Sequence, residues 1–139
     1  MIRLLISIIL LSTLSAFGQS KKTLTINFTG YKSHKGNLFI ALYNSEESYL
    51  HNSRVSASKI IKAETGNTTV NFSVKENEYY AIAVFLDENE NGKLDTNLFG
   101  IPQEFYGFSN NATGFMSSPS FNKAKLKMDT DKTITIQLH

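Results

Sequence analysis

One short stretch of the chain, residues 87–95, has the residue types and spacing of a metal-binding loop. It reads Asp-Glu-Asn-Glu-Asn-Gly-Lys-Leu-Asp, so oxygen-bearing side chains recur at every second position until a glycine interrupts them. Ca²⁺ prefers about six to eight oxygen ligands, and a short loop can supply them only when alternate side chains turn inward. The spacing therefore predicts a calcium-binding loop.

The predicted ligands are the side chains of Asp87, Asn89, Asn91 and Asp95 and the main-chain carbonyl of Lys93. Gly92 occupies the sixth position, where the sharp turn calls for a backbone that a Cβ would obstruct. The twelfth position is Leu98 where an EF-hand has glutamate, and Gly100 with Pro102 argues against an exiting helix. The loop is therefore not an EF-hand, and we expect Glu104 to fold back and complete the site.

A plain turn is the alternative interpretation of this stretch. Asn91-Gly92 is a strong hairpin signal by itself, and the acidic residues around it could simply be solvated. Four acidic residues and one lysine give the stretch a formal charge of −3, which repels itself unless a cation or solvent disperses it. The charge favours a metal, and the turn remains open as the alternative.

The elements that must position this loop are strands. Apolar residues alternate with polar ones, or form short apolar runs, in residues 23–29, 37–43, 55–63, 68–74, 79–86 and 133–138. Residues 46–52 could form one short helical turn. No stretch after the first twenty residues keeps an apolar 3.6-residue repeat over ten residues, and clusters of Gly, Asn, Ser and Asp separate the strands. We predict an all-β fold, a single Ig-like or prealbumin-like β-sandwich of about seven antiparallel strands.

Residues 87–122 form a long irregular region in this prediction, and such long loops commonly carry function. Six aromatic residues follow the acidic loop within it: Phe99, Phe105, Tyr106, Phe108, Phe115 and Phe121. They could form a platform for a glycan or peptide, or they could anchor the loop to the core. We favour the second role, because a small sandwich without disulfides needs apolar mass to hold a long loop.

The first residues have the pattern of a signal peptide. Arg3 supplies a positive charge, residues 4–14 are mostly apolar, and Ala16 and Gly18 match a small-x-small cleavage site. We predict a signal peptide over residues 1–18 and a mature domain over residues 19–139, exported to the periplasm or secreted. The apolar run is too short for a membrane span, and we expect none in the mature chain.

Composition and motifs argue against most enzymes and against nucleic-acid binding. The chain has no cysteine, and 14 basic residues against 12 acidic ones give a formal net charge of only +2. No serine lies in a G-x-S-x-G motif, and the three histidines, His34, His51 and His139, are widely separated. We therefore expect a non-enzymatic protein that does not bind nucleic acid, and we expect a monomer.

The series of motifs across the second half of the chain resembles the DUF2141 family of exported bacterial proteins. It comprises the acidic loop of residues 87–95, Gly-Ile-Pro-Gln-Glu at 100–104, Tyr-Gly-Phe-Ser at 106–109 and Pro-Ser-Phe at 119–121, and the segment 30–43 also fits. The resemblance implies a compact β-sandwich exported by a bacterium, and it implies no enzyme, substrate or cofactor.

Together these patterns predict an exported, non-enzymatic β-sandwich whose calcium loop orders a long interaction loop. The predicted partner is a protein or glycan of the cell envelope. The alternative is a glycan- or peptide-binding module of the cell envelope that needs no metal. An unrecognised hydrolase using the loop carboxylates remains a weaker third possibility.

Overall fold

The computed structural model describes residues 18–32, 35–64 and 66–139. The predicted signal peptide, apart from Gly18, lies outside these described residues. Within them, no helix is both long enough and apolar enough to cross a membrane.

Eight strands account for most of the regular structure of the described residues. Their bounds are β1 Lys21–Thr29, β2 Asn37–Tyr43, β3 Ala57–Lys62, β4 Thr68–Lys75, β5 Tyr79–Asp87, β6 Tyr106–Phe108, β7 Leu126–Lys127 and β8 Lys132–Gln137. One turn of α-helix, α1, spans Phe121–Ala124, and 3₁₀ turns span Asn52–Arg54 and Ser109–Asn111. The described part of the chain is therefore mostly β with little helix, in agreement with the predicted all-β class.

The strands form two sheets that face each other. One sheet has the order β4-β1-β8, and the other has the order β3-β2-β5-β6, with β7 paired to the start of β5. Strands β1 and β8 pair in parallel, with Ile26 opposite Ile134, whereas the other strand pairs are antiparallel. The expectation of a purely antiparallel sandwich was therefore wrong at this pair, because β8 comes from the far end of the chain and needs no tight turn to reach β1.

The core lies between the two sheets. Alternate residues of each long strand point inward, and Leu24, Ile26 and Phe28 of β1 are fully buried opposite the inner face of β5. The inner side chains of β5 are Tyr80, Ile82, Val84 and Leu86. This alternation agrees with the period of two in the sequence, because successive side chains of a strand point to opposite faces.

The last residues of the chain join the two sheets. The His139 N–H donates to the Tyr106 carbonyl (3.0 Å), and the Tyr106 N–H donates to the His139 carbonyl (3.2 Å). The preceding residue, Leu138, is 1 % exposed, and its N–H donates to the Thr29 carbonyl at 2.8 Å. The chain end therefore links β6 of one sheet to β1 of the other.

Two further details differ from the sequence-based expectations. Residues 46–50 form turns rather than a helical turn, and the 3₁₀ turn begins only at Asn52. The region expected to be irregular, residues 87–122, contains β6, whose three residues pair with β5. A three-residue strand is too short to produce a readable period of two, so the sequence carried no clear signal for it.

Candidate functional site

The acidic loop leaves β5 beside the start of β2. Asn37 pairs with Asp87, and Gly36, just before it, lies directly against the main chain of Asp87. A Cβ built on Gly36 would lie 2.1 Å from the Asp87 carbonyl oxygen, and φ at Gly36 is +92°. Only glycine fits this position, so Gly36 fixes the point at which the acidic loop begins.

Asp87 organises the first half of the loop through its carboxylate. The side chain is 1 % exposed, and its two oxygens accept the N–H groups of Asn91 (3.1 Å) and Gly92 (2.7 Å). Gly92 has φ +80°, and a Cβ there would meet nothing within 4 Å. The glycine is therefore needed for its backbone conformation and not, as the sequence led us to expect, because a Cβ would be obstructed.

The Asp95 carboxylate accepts hydrogen bonds from the side chains of Asn89 and Asn91. The Asn91 side-chain amide donates to both oxygens of Asp95 (2.8 and 3.0 Å), and the Asn89 amide donates to Asp95 as well. Hydrogen bonds from Asn91 and then Asn89 hold the pKa of Asp95 below its usual value. Ionised Asp95 therefore stabilises the loop at neutral pH, and this stabilisation is lost as the pH falls through the lowered pKa.

Glu104 folds back onto the loop from nine residues beyond Asp95. Its side chain is 9 % exposed, and its two oxygens accept the N–H groups of Glu88 (2.9 Å) and Asp95 (3.1 Å). One carboxylate thus bridges the beginning and the end of the acidic loop. Lys93 joins the same network through its main-chain N–H, which donates to Asn91 Oδ1 at 3.1 Å.

The structure thus brings the six residues nominated from the sequence into one hydrogen-bond network: Asp87, Asn89, Asn91, Lys93, Asp95 and Glu104. In this arrangement the buried carboxylates face N–H donors. Among the described residues, no group of three or more His, Cys, Asp or Glu side chains is arranged to hold a metal ion. Calcium ligation therefore stays a prediction, and it would require the asparagine amides to turn their oxygens toward the ion.

The segment after the loop forms a projecting arm, residues 95–103. The Gln103 N–H donates to the Asp95 carbonyl (2.8 Å), and Thr96 bridges Pro102, so the two sides of the arm run antiparallel. At the turn, Asn97 Oδ1 accepts the N–H groups of Phe99 (2.9 Å) and Ile101 (3.0 Å). Leu98, at the tip, is fully exposed, and Phe99 is 87 % exposed. The acidic loop is thus the base of an arm with an apolar tip.

A groove on the outer face of the β3-β2-β5-β6 sheet adjoins this arm, and it was not predicted from the sequence. Its volume is about 1010 Å³. Its floor includes Phe39 of β2 and Phe85 of β5, whose rings stack 4.9 Å apart. The sequence does contain one indication of the groove: β2 and β5 are apolar on both faces, which is typical of a sheet whose outer face is also covered or occupied.

The six aromatic residues after the acidic loop divide between the two roles considered from the sequence. Phe108 and Phe121 are buried, and Phe105 and Tyr106 are half-buried, whereas Phe99 and Phe115 are exposed. The anchoring role is therefore right for some of these rings, and the two exposed rings are free to form part of a surface. His51 and His139 are exposed, and His34 lies outside the described residues.

One of three comparisons with known proteins gives a match, and it is to a protein family. The searches of curated proteins and of solved structures found no significant match. A family model described as "Uncharacterized protein conserved in bacteria (DUF2141)" matches residues 26–137, which include nearly every strand, the acidic loop, the arm and Glu104. The chain therefore belongs to the DUF2141 family.

Proposed function

We propose that this protein is an exported, non-enzymatic binding module in which the acidic loop binds Ca²⁺ and thereby orders the region 97–121 as an interaction surface. The observation that carries the proposal is the Glu104 bridge, because it ties the loop's two ends to the base of the arm. Export follows from the leader pattern of residues 1–18. We also assign the sandwich to the Ig-like or prealbumin-like class, on the basis of its strand pattern.

Charge supports a cation at this loop. Five charged residues between positions 87 and 95 sum to −3, and Glu104 adds a further carboxylate against them. Among the described residues, the hydrogen bonds to the Asp95 carboxylate come from the neutral side-chain amides of Asn89 and Asn91, so a divalent cation would supply a stronger partner for the same oxygens. The partner of the ordered surface would be a protein or glycan of the cell envelope, bound by the monomer.

Thermal unfolding with Ca²⁺ and with EDTA tests the metal. At one hundred times its dissociation constant the ion should stabilise the fold by about 2.7 kcal/mol, which corresponds to roughly 10 °C. Asp95→Asn keeps the side-chain shape and removes the charge, so the calcium effect should disappear in that variant. Asp129→Asn is the matched control, because Asp129 is an exposed aspartate paired with Lys132, outside the loop. Coincident unfolding curves in Ca²⁺ and EDTA would overturn the proposal.

Limited proteolysis tests the ordering of the interaction region. If Ca²⁺ orders residues 97–121, cleavage there should slow in Ca²⁺ and recover in EDTA, with Mg²⁺ having a smaller effect. A cleavage rate that is unchanged by Ca²⁺ would show that the metal does not order this region.

The second candidate function is a metal-independent glycan- or peptide-binding module. The exposed rings of Phe99 and Phe115 favour it, because exposed rings supply rigid contact area at low entropic cost. Binding to a glycan array that persists in EDTA and falls with Phe99→Ala would support this candidate over the first.

A further inference from the structure

The floor of the groove is lowered at its centre by two alanines. Ala41 of β2 and Ala83 of β5 are directly paired and lie on the outer face of the sheet. The stacked Phe39 and Phe85 rings flank them on one side, and Tyr43 flanks them on the other. Because small side chains occupy the middle and large rings the ends, the sheet face forms an elongated recess rather than a flat surface.

The rim of the groove concentrates exposed apolar side chains. Five of them line it: Leu50, Ile60, Phe99, Ile101 and Met116, with exposed fractions of 40, 61, 87, 56 and 92 %. Leu50 and Met116 also have φ of +60° and +53°, which is costly for a bulky side chain. A patch of this kind on a small protein, partly held by strained backbone, is typical of a binding surface.

The polar groups of the groove restrict what it can hold. Its described lining contains no aspartate or glutamate and only two lysines, Lys59 and Lys93. The Lys59 ammonium is engaged elsewhere, since it bonds to the Asn71 carbonyl and lies over the Phe72 ring. Lys93 acts electrostatically on Asp95, whose pKa it helps to lower, but among the described residues its ammonium makes no ion pair within 4.0 Å that would block a ligand.

A hydrocarbon chain fits this inventory better than a peptide or a sugar does. The lining also includes the polar side chains of Asn52, Ser58, Thr96, Ser117 and Ser118. The floor along β2 and β5 is nevertheless mostly aromatic and aliphatic, so a peptide or sugar laid along it would bury hydrogen-bonding groups there, at a cost for each unpaired group. A hydrocarbon chain has no such groups.

We propose that the groove binds one single-chain anionic amphiphile, a long-chain carboxylate, with its hydrocarbon over Ala41 and Ala83 and its carboxylate near Lys93. This site adjoins the interaction surface described under Proposed function, goes beyond the function proposed there, and does not require calcium. All titrations are therefore made in EDTA, so that this proposal and the calcium proposal fail independently.

A chain-length series on the full-length protein tests the hydrocarbon site. Octanoate, decanoate and dodecanoate are titrated below their micelle concentrations, with NMR chemical shifts as the readout. Burial of each methylene should raise affinity about fourfold. The shifts should concentrate on β2, β5 and the arm. Equal affinity for all three chains, or shifts spread over the whole surface, would overturn the proposal.

Variants test the position of the ligand. Ala83→Phe should fill the recess and weaken dodecanoate binding at least tenfold. Phe99→Ser, at an exposed position that does not threaten folding, should weaken it about threefold or more. The matched control is Tyr79→Ser, an exposed aromatic residue of β5 outside the groove. Equal effects of Phe99→Ser and Tyr79→Ser would contradict this site.

A comparison of ligands with charged and neutral headgroups tests whether Lys93 binds the carboxylate. Dodecanoate should bind up to about fivefold more tightly than dodecyl maltoside, and Lys93→Gln should remove the difference. Lys127→Gln, at an exposed lysine of β7, should leave it intact. Binding to phosphatidylglycerol vesicles without binding to monomeric dodecanoate would replace the proposed ligand by a membrane surface.

Discussion

The backbone at Gly92 illustrates how a single residue sets the acidic loop. Its φ of +80° is costly for side-chain-bearing residues, although the space beside it is open. We expect Gly92→Ala to destabilise the protein by about 1 kcal/mol in urea unfolding, and Gly92→Asn to cost less because asparagine tolerates this region. Gly66→Ala is the matched control, since Gly66 has φ +75° and equally open surroundings. Both alanine variants should lose similar stability, but only the loop variant should alter the Asp87 hydrogen bonds.

Tyr49 offers a second test at the scale of one residue. Its hydroxyl is buried without a hydrogen-bond partner among the described residues, and burial raises its pKa to about 12. Because the folded pKa lies above the ordinary tyrosine value of 10.0, the folded state loses stability relative to the unfolded chain as the pH rises from 10 toward 12. Tyr49→Phe should therefore be as stable as the parent or about 1 kcal/mol more stable at neutral pH, and should resist alkaline unfolding better. A large loss of stability on thermal unfolding would show that the hydroxyl has a partner, and Tyr79→Phe is the exposed control.

At the scale of elements, the acidic loop and the arm depend on Glu104. Removing its carboxylate leaves the N–H groups of Glu88 and Asp95 without acceptors, so Glu104→Ala should cost about 2–3 kcal/mol. Glu104→Gln keeps one acceptor oxygen and should lose less. Hydrogen exchange by NMR provides the local readout, because these two amides should lose protection first in both variants. Glu90→Ala, at an exposed residue of the same loop, should leave their protection unchanged.

The same elements show what the sequence could and could not predict. Strands β2 and β5 were predicted almost to the residue, because their apolar runs end at polar residues. The return of Glu104 to the loop was also predicted, although only as the nearest later carboxylate. The parallel β1–β8 pair and the groove were not predicted, since both depend on which distant strands become neighbours. Local periodicity gives the faces of a strand but not its partners.

At the scale of the whole molecule, the two sheets are joined along one side by the end of the chain. Tyr106 exchanges main-chain hydrogen bonds with His139, and its ring lies 4.9 Å from the His139 ring. Tyr106 also belongs to the lining of the groove. The C-terminus therefore stabilises the sandwich and one wall of the proposed binding surface together.

Deletion of Leu138 and His139 tests this coupling. It removes a side chain that is 1 % exposed, together with both hydrogen bonds to Tyr106. Truncating a buried leucine alone costs about 2–5 kcal/mol, a large part of a total stability of roughly 5–15 kcal/mol. We expect the melting temperature to fall by at least about 10 °C. Deletion of His139 alone should cost less, and Gln137→Ala, at an exposed side chain, should change stability by no more than about 0.5 kcal/mol. An unchanged melting temperature in the two-residue deletion would show that the sheets are held together without the chain end.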